Sequence, residues 1–309
     1  MKTILFKIQQ FPHLSETFIL SQIVLAIEEG YKVNILVKEV LDFEKSSHLA
    51  VLEKYNIREK IIRDEYRIPK NKFTRLIKAL GILLRNWSNL PKIKEFISLK
   101  NKFSLTWIYE FSFYSRFINT DILHVQYGTN VHPIDILKKT GYLKGKLIVS
   151  FHGHDAFFPI NGFIPNNGYY KHLFSGDNII VANTPYLANQ LIDIGCPENK
   201  IKIVPVPVDT EFFYPNSSIP KNDKIKLISV GRLEKIKGHE YGILAIKVLL
   251  NKGYNVSYVI IGEGQLKDEI SSLIKLNALE NNIKLLGGKS HLDIREELWK
   301  SDIFLMTSI

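Results

Sequence analysis

Residues 225–239, IKLISVGRLEKIKGH, constrain the fold of this chain more than any other stretch. The segment from Lys226 to Val230 alternates and then runs apolar, as a buried strand does. Gly231 permits a sharp turn, and the apolar positions from Tyr241 onward have helical spacing. The pattern predicts a strand, a tight turn and a helix.

Two basic side chains, Arg232 and Lys237, accompany this turn. A diphosphate bound there would meet the amides at the start of the helix, the positive end of the helix dipole and both cations. The alternative is an ordinary strand-to-helix turn with two solvated basic side chains, because short Gly and Lys motifs often occur by chance. Motifs elsewhere in the chain are needed to distinguish a diphosphate site from an ordinary turn.

The composition indicates a globular protein of about two domains: 309 residues, of which 45% are hydrophobic. The single cysteine, Cys196, excludes an internal disulfide and a cysteine-rich zinc site, and it favours a reducing compartment. The N-terminal sequence MKTILFKIQQ has only a broken apolar run, which fits neither a signal peptide nor a spanning helix. We therefore expect a cytoplasmic protein, with a peripheral place on the inner face of the membrane as a further option.

The start of the chain predicts a strand, a helix and a second strand. Thr3 to Ile8 is the first strand, and a helix follows with Ser15 as its N-cap and Gly30 just past its end. Val33 to Val37 is the next strand, which indicates a parallel sheet. The connecting loop, residues 9–15, would then lie over the strand ends, where open α/β sheets bind ligands.

Residues 41–119 predict a helical, basic and aromatic segment. Residues 66–102 hold ten basic residues against one acid, Glu95, within a net charge of +10. An apolar stripe runs beside them: Phe73, Leu76, Ile77, Leu80, Leu83 and Leu84. Such a helix suits an anionic membrane surface, but a solvated face of a packed helix is nearly as good an interpretation. No nucleic-acid motif accompanies the charge, so nucleic-acid binding is not expected.

Two further strands, within residues 121–128 and 146–155, deliver polar groups to the sheet edge. The second is followed by His152, His154 and Asp155. Imidazole and carboxylate groups at such an edge suit hydrogen bonding to a hydroxyl or stabilisation of developing charge. A buried structural histidine is an alternative, and a metal held by His124, His152 and His154 is a weaker one, since no second shell can be identified.

A polar, proline-bearing linker at residues 214–224 suggests the domain boundary. We predict an N-terminal domain over residues 1–216, with the basic helical segment at about 41–119, and a C-terminal domain over 217–309. The second domain alternates predicted strands and helices up to the strand at Ile303 to Met306, as a parallel α/β domain does.

Several strings, taken in order, resemble the retaining GT-B glycosyltransferases of family 4: PHLSETFI, DILHVQYG, FHGHD, PVDTEFF, VGRLEKIKGHE, IGEGQL and SDIFLMTSI. They cover nearly the whole chain. The PHLSETFI form is most similar to the branch that assembles exopolysaccharide, capsule or lipopolysaccharide. The resemblance implies an α/β fold of two Rossmann-like domains with parallel sheets facing a cleft, the first on the acceptor side and the second binding a nucleotide-sugar.

The resemblance also implies roles for individual residues. The donor, a UDP- or GDP-sugar, would be bound by two groups of residues: Gly231, Arg232 and Lys237, and Gly262, Glu263 and Gly264. His152 and Asp155 would line the reaction centre as catalytic residues, and Ser15, Glu16 and Thr17 would form an acceptor-side loop. No Asp-x-Asp motif is present, so neither a metal nor another cofactor is expected. Two departures from the family pattern are Gln126, where a histidine is usual, and residues 207–209, which replace Gly-x-Asp.

The family's second domain normally continues beyond the point matched by Ile309, with a pair of glutamates and a last helix. The notable alternatives are therefore an incomplete or split transferase that needs a second polypeptide, and a non-enzymatic protein that binds anionic surfaces through residues 66–102. An active enzyme using a saccharide or lipid-linked acceptor is the main expectation.

Overall fold

The computed structural model describes residues 1–13, 16–46, 48–100, 103–216 and 223–309, without the side chain of Lys45. The chain divides into two compact units, Met1–Pro207 and Val208–Ile309. The boundary predicted between residues 216 and 217 borders a segment outside the described residues and stays a prediction.

The first unit is built on a seven-stranded parallel sheet in the order β3-β2-β1-β4-β5-β6-β7. Its strands are β1 Thr3–Phe11, β2 Lys32–Val40, β3 Ile61–Arg63, β4 Ile122–Gln126, β5 Lys146–Phe151, β6 Ile179–Ala182 and β7 Ile201–Ile203. Ile4 of β1 lies opposite Val33 on one side and Ile122 on the other. The strand order therefore reverses between β1 and β4, and such a switch point is where open α/β sheets bind ligands.

Within the described residues of the first unit, eight α-helices connect and cover these strands. They are α1 Thr17–Glu28, α2 Leu49–Lys54, α3 Lys72–Arg85, α4 Leu90–Leu99, α5 Thr106–Tyr114, α6 Ile134–Lys139, α7 Lys171–Ser175 and α8 Pro185–Asp193. Thr184 caps α8 by accepting a hydrogen bond from the amide of Leu187, and Pro185 occupies the first turn. None of the helices in the described ranges is long and apolar enough to traverse a bilayer.

Helix α1 begins one residue later than predicted. Ser15, the predicted N-cap, lies outside the described residues, and the cap position belongs to Glu16, which makes no side-chain capping bond. The Glu16 carboxylate instead accepts a hydrogen bond from the hydroxyl of Tyr127. At the other end Gly30 has φ +79 and follows the helix as predicted.

The segment predicted as helical, residues 41–119, contains one strand. Ile61–Arg63 forms β3 at the sheet edge, pairing Ile61 with Ile35 of β2. Three residues are too few to show an alternating pattern, so the helical prediction is wrong there. Within α3 the predicted apolar stripe is mostly exposed, while Leu83 packs against the core.

The second unit has a four-stranded parallel sheet in the order β10-β9-β8-β11. Its strands are β8 Ile225–Val230, β9 Val256–Ile261, β10 Ile283–Leu285 and β11 Ile303–Phe304, and its helices are α9 His239–Asn251, α10 Lys267–Leu276 and α11 His291–Trp299. Its core includes Tyr258, whose hydroxyl lies 2.6 Å from Ser229 Oγ. The predicted strand-turn-helix at residues 225–239 is confirmed as β8, a turn and the start of α9.

Candidate active site

Backbone packing between two turns shapes the predicted donor region of the second unit. The amide of Gly231 donates to the carbonyl of Ile261 at 2.9 Å, which joins the turn after β8 to the end of β9. A Cβ on Gly262, where φ is +153, would lie 1.9 Å from the carbonyl oxygen of Gly231, and a Cβ on Gly264 would lie 2.5 Å from that of Leu233. Both predicted glycines are therefore required by close backbone approach.

Lys237 lies beside this turn at the start of α9. A Cβ on Gly231 would be 3.7 Å from Lys237 Cδ, so the aliphatic part of the lysine covers that glycine. Thr307 Oγ1 donates to the carbonyl of Lys237 at 2.9 Å and fixes the backbone. Gly238, with φ +59, is the N-cap of α9, and no side chain of the described residues caps this helix. The start of α9 is thus available to an anion.

Arg232 already has an acidic partner. Its Nη1 lies 2.8 Å from Oε1 of Glu234, and the two side chains are 58% and 36% exposed. Sequence reasoning missed Glu234, although it is visible in the string as Arg-x-Glu. It also missed His239, a buried histidine whose Nε2 lies 3.2 Å from the carbonyl oxygen of Arg232. Burial lowers the pKa of His239 and favours the neutral ring.

The predicted donor residue Glu263 is engaged within its own unit. Its carboxylate accepts from the amide of Gly288 at 3.0 Å and from Lys267 Nζ at 3.1 Å. The bond from Gly288, followed by the bond from Lys267, lowers the pKa of Glu263. In this structure the side chain holds the turn after β9 to the turn after β10.

In the first unit, His152 follows β5 and lies in a pocket of aromatic rings. Its ring centroid is 4.8 Å from that of Phe18 and 4.6 Å from that of Tyr127. Burial, with a smaller contribution from His154, lowers the pKa of His152 to about 4. The ring is therefore neutral at neutral pH, and its Nδ1 has no hydrogen-bond partner among the described residues.

Gln126, the departure from the family pattern, orients His152. It is fully buried, and its Nε2 donates to Gln22 Oε1 at 2.8 Å and lies 3.3 Å from His124 Nε2. Its Oε1 lies 2.9 Å from Nε2 of His152. Because Gln22 fixes the amide with its oxygen toward His152, the proton of that histidine belongs on Nε2. Burial also lowers the pKa of His124 to about 4.

Asp155 is completely buried and uses both carboxylate oxygens for backbone amides. Oδ2 accepts from Gly128 at 2.8 Å, while Oδ1 accepts from His152 and Gly153 at 3.0 Å each. Burial raises the pKa of this carboxyl, and the amide hydrogen bonds act in the opposite direction. Asp155 thus holds the loop that carries His152. Its predicted catalytic role stays a prediction.

Glu16, in the described part of the predicted acceptor-side loop, is linked to His152 by Tyr127, which contacts both residues. The hydroxyl of Tyr127 donates to Glu16 Oε1 at 2.8 Å, and its ring lies 5.2 Å from that of His154. Thr17 is the first residue of α1. Sequence reasoning missed Tyr127, because its backbone φ of +67 and its ring contacts leave no signal in the string.

A metal held by His124, His152 and His154 was the weaker alternative for this region. Within the described ranges, no group of three or more His, Cys, Asp or Glu side chains is arranged to hold a metal ion. The expectation of a metal-independent enzyme stays a prediction.

Two consecutive parts of the chain match two glycosyltransferase family models. Residues 60–212 match Glycosyltransferase Family 4, and residues 211–309 match Glycosyl transferases group 1. The chain therefore belongs to the glycosyltransferases, with a family 4 domain followed by a group 1 domain.

Similar proteins support this membership over nearly the whole chain. The amylovoran biosynthesis glycosyltransferase AmsK of Erwinia amylovora is 28% identical over 97% of this chain and 74% of its own length. The putative colanic acid biosynthesis glycosyltransferase WcaL of Escherichia coli K12 is 27% identical over 98% and 75%. HepE of Anabaena, solved with UDP and glucose, has a TM-score of 0.64 at 14% identity, over 100% of this chain and 74% of HepE. The fold is the GT-B fold that the sequence implied.

Proposed function

We propose that this glycosyltransferase moves a sugar from a UDP- or GDP-sugar to a saccharide or lipid-linked acceptor, with retention, during assembly of a cell-surface polysaccharide. The turn around Gly231 carries the proposal, because it places two cations beside the uncapped start of α9. The similarity to AmsK and WcaL, named for amylovoran and colanic acid biosynthesis, supports the polysaccharide setting. The UDP bound to the structurally similar HepE supports the donor class.

In the second unit, Arg232 and Lys237 stabilise the departing diphosphate. As the bond between the sugar C1 and the phosphate oxygen breaks, its electron pair goes to the phosphate, and both cations balance the growing charge. Arg232 exchanges the carboxylate of Glu234 for a phosphate oxygen. The acceptor hydroxyl forms the new bond to C1 on the face that the phosphate leaves. Its proton goes to the leaving phosphate, so no strong protein base is required.

In the first unit, His152 binds a hydroxyl group. Its neutral ring has an unprotonated Nδ1 that is buried and lacks a partner among the described residues. A sugar or acceptor hydroxyl that reaches this atom, as the surrounding side chains move on binding, donates a hydrogen bond to it. Asp155 acts as a positioning residue, because it holds the backbone of His152 and Gly153. Glu16 acts on the same group by fixing Tyr127 against the His152 ring.

Calorimetric titration of UDP and GDP tests the donor site. We expect Arg232→Ala and Lys237→Ala each to weaken binding of the nucleotide by about tenfold, since each removes a charged hydrogen-bond donor to phosphate. The matched control is Lys235→Ala, an exposed lysine of the same turn, which should change affinity by less than about twofold. Undiminished affinity in both site variants would contradict the assignment.

Turnover by the purified 309-residue chain tests the reaction itself. Donor sugars are supplied with saccharide and lipid-linked acceptors, with and without EDTA, and proton NMR gives the anomeric configuration of the product. An inverted product would refute retention, and loss of turnover with EDTA would refute metal independence. Turnover that appears only when a second polypeptide is added would support the split-enzyme alternative.

A further inference from the structure

Helix α3 exposes an apolar ridge on the side away from the core. The inward side includes Ala79, which is buried, and Leu83, which packs against the core. The ridge is formed by five side chains of one helical face and the adjoining tryptophan: Phe73, Leu76, Ile77, Leu80, Leu84 and Trp87. Phe73 is 71% exposed and Leu84 is 70% exposed. Proteins that remain monomeric in water rarely present a contiguous apolar patch of this kind.

A basic groove lies directly beside the ridge. The segment after β3 encloses it together with α3 and α5, and its volume is about 930 Å³. Five cations and one acid line it: Arg63, Glu65, Arg67, Lys78, Arg85 and Arg116. Within the described part of the chain, only Arg63 among the five has an acidic partner, Glu65 at 3.8 Å. Ile77 belongs to both the ridge and the groove, so the two form one continuous surface.

Contacts beneath the groove hold this surface in place. Tyr109 of α5 donates its hydroxyl to the carbonyl of Arg75 in α3 at 2.6 Å. Tyr66, which lines the groove, donates to Glu110 at 3.2 Å, and Glu110 also pairs with Lys100 at 2.7 Å. The ridge and the groove are therefore presented on a packed scaffold, so little conformational entropy is lost on binding.

We propose that this surface docks the protein on an anionic lipid bilayer, with lipid phosphates in the groove and the α3 ridge in the interface. An apolar helical face flanked by cations is suited to the boundary between headgroups and acyl chains. A nucleic acid would engage the cations but leave the ridge in water. A second copy of the chain, docked symmetrically, would bring two basic grooves together, and like charges oppose that contact.

Vesicle co-sedimentation of the full chain tests the proposal. We expect binding at least about tenfold tighter to vesicles containing about one third phosphatidylglycerol than to phosphatidylcholine alone, and weaker binding as salt increases. The ridge variant, Leu80→Ser with Leu84→Ser, should lose at least about tenfold in affinity. The groove variant, Arg67→Gln with Arg85→Gln, should lose about fivefold for each cation removed.

Control variants in the second unit replace exposed groups of the same kinds. Leu276→Ser, at a side chain that is 85% exposed, and Lys252→Gln should bind vesicles as the wild type does. All four proteins must give the wild-type far-UV circular dichroism spectrum. Because the readout is lipid binding, it is independent of whether the transferase assignment holds.

Three kinds of outcome would overturn the proposal. The first is vesicle binding without the expected dependence, either on anionic lipid in the wild type or on the substituted residues in the ridge and groove variants. The second is tight binding of inorganic pyrophosphate in the groove without vesicle binding, which would indicate a site for soluble phosphate. The third is a wild-type dimer by light scattering that the ridge variant abolishes, without vesicle binding, which would indicate an interface between copies.

Discussion

Two carboxylates hold loops at the ends of strands in this protein, and their surroundings differ. Asp155 is completely buried and accepts three backbone amides, whereas the Glu263 side chain is 57% exposed and accepts one amide and a lysine. Burial raises the pKa of Asp155, while the Gly288 amide and then Lys267 lower the pKa of Glu263. The first loop therefore depends on its carboxylate far more than the second does.

The second loop gets its shape from glycine. Gly262 allows the backbone to approach Gly231 so closely that a Cβ would lie 1.9 Å from a carbonyl oxygen. This backbone packing leaves the side chain of Arg232 at the surface, where it can exchange one anionic partner for another. The first unit thus fixes a neutral group, His152, with buried polar contacts, and the second presents charged groups on a rigid turn. The variants below test this difference.

The largest effect is expected from Asp155→Asn. An amide has one accepting oxygen, so its NH₂ group would face at least one backbone amide that loses its partner. We expect the first unit to lose about 3 kcal/mol of unfolding free energy. Urea unfolding is followed by fluorescence in a Trp299→Phe background, where only Trp87 and Trp107, both in the first unit, remain.

Glu263→Gln is the matched control for Asp155→Asn. Its carboxylate is exposed, so water replaces the lost contacts and the stability of the chain should stay close to that of the wild type. If the two variants destabilised their units equally, burial would not distinguish the two loops.

A smaller loss of stability is expected from Gly262→Ala. The added methyl group meets the carbonyl of Gly231 and requires φ near +153, so the turn must shift. We expect the second unit to lose about 2 kcal/mol of unfolding free energy. Nucleotide binding should also weaken at least about tenfold, because the clash displaces Gly231 and Arg232 is the next residue in the chain. Calorimetry with UDP measures the nucleotide affinity, and the fluorescence of Trp299, in a background with Trp87→Phe and Trp107→Phe, measures the stability of the second unit.

Gly253→Ala is the control that distinguishes the cost of a positive φ from the cost of the steric clash at Gly262. Gly253 has φ +83°, but a Cβ there would meet no atom of the described residues within 4 Å. We expect a loss of about 1 kcal/mol and unchanged nucleotide affinity. Equal nucleotide affinity in the Gly262→Ala and Gly253→Ala variants would show that the close backbone approach does not shape the donor turn.

Most of the fold could be predicted from periodicity. The strand before Gly231 and the turn from Gly231 to α9 were evident because glycine, apolar alternation and helical spacing agree there. The short edge strand Ile61–Arg63 was missed because it has three residues and lies in a basic, helical context. Its place in the sheet depends on pairing with β2, which is a long-range contact.

The sequence indicated which types of residue form the candidate site, but it did not indicate which of their side chains contact one another. The string FHGHD indicated polar groups at a strand end, but not that Asp155 faces backbone amides or that Gln126 contacts His152. Those relations depend on which side chains burial brings together from β4, β5 and α1. The contact of Arg232 with Glu234 is local and could have been predicted from their spacing.

The smallest effect is expected from Glu234→Gln. This variant tests directly whether Arg232 exchanges the carboxylate of Glu234 for a phosphate oxygen. Removing the exposed partner of Arg232 leaves the guanidinium group without its competing carboxylate, so UDP should bind about two- to fivefold more tightly. Glu269→Gln, at an exposed acid on α10 of the same unit, should leave the affinity unchanged. In an Arg232→Ala background, Glu234→Gln should lose its effect, because the two residues then no longer interact. A gain that persists without Arg232 would mean that Glu234 repels the nucleotide directly and that Arg232 does not exchange partners.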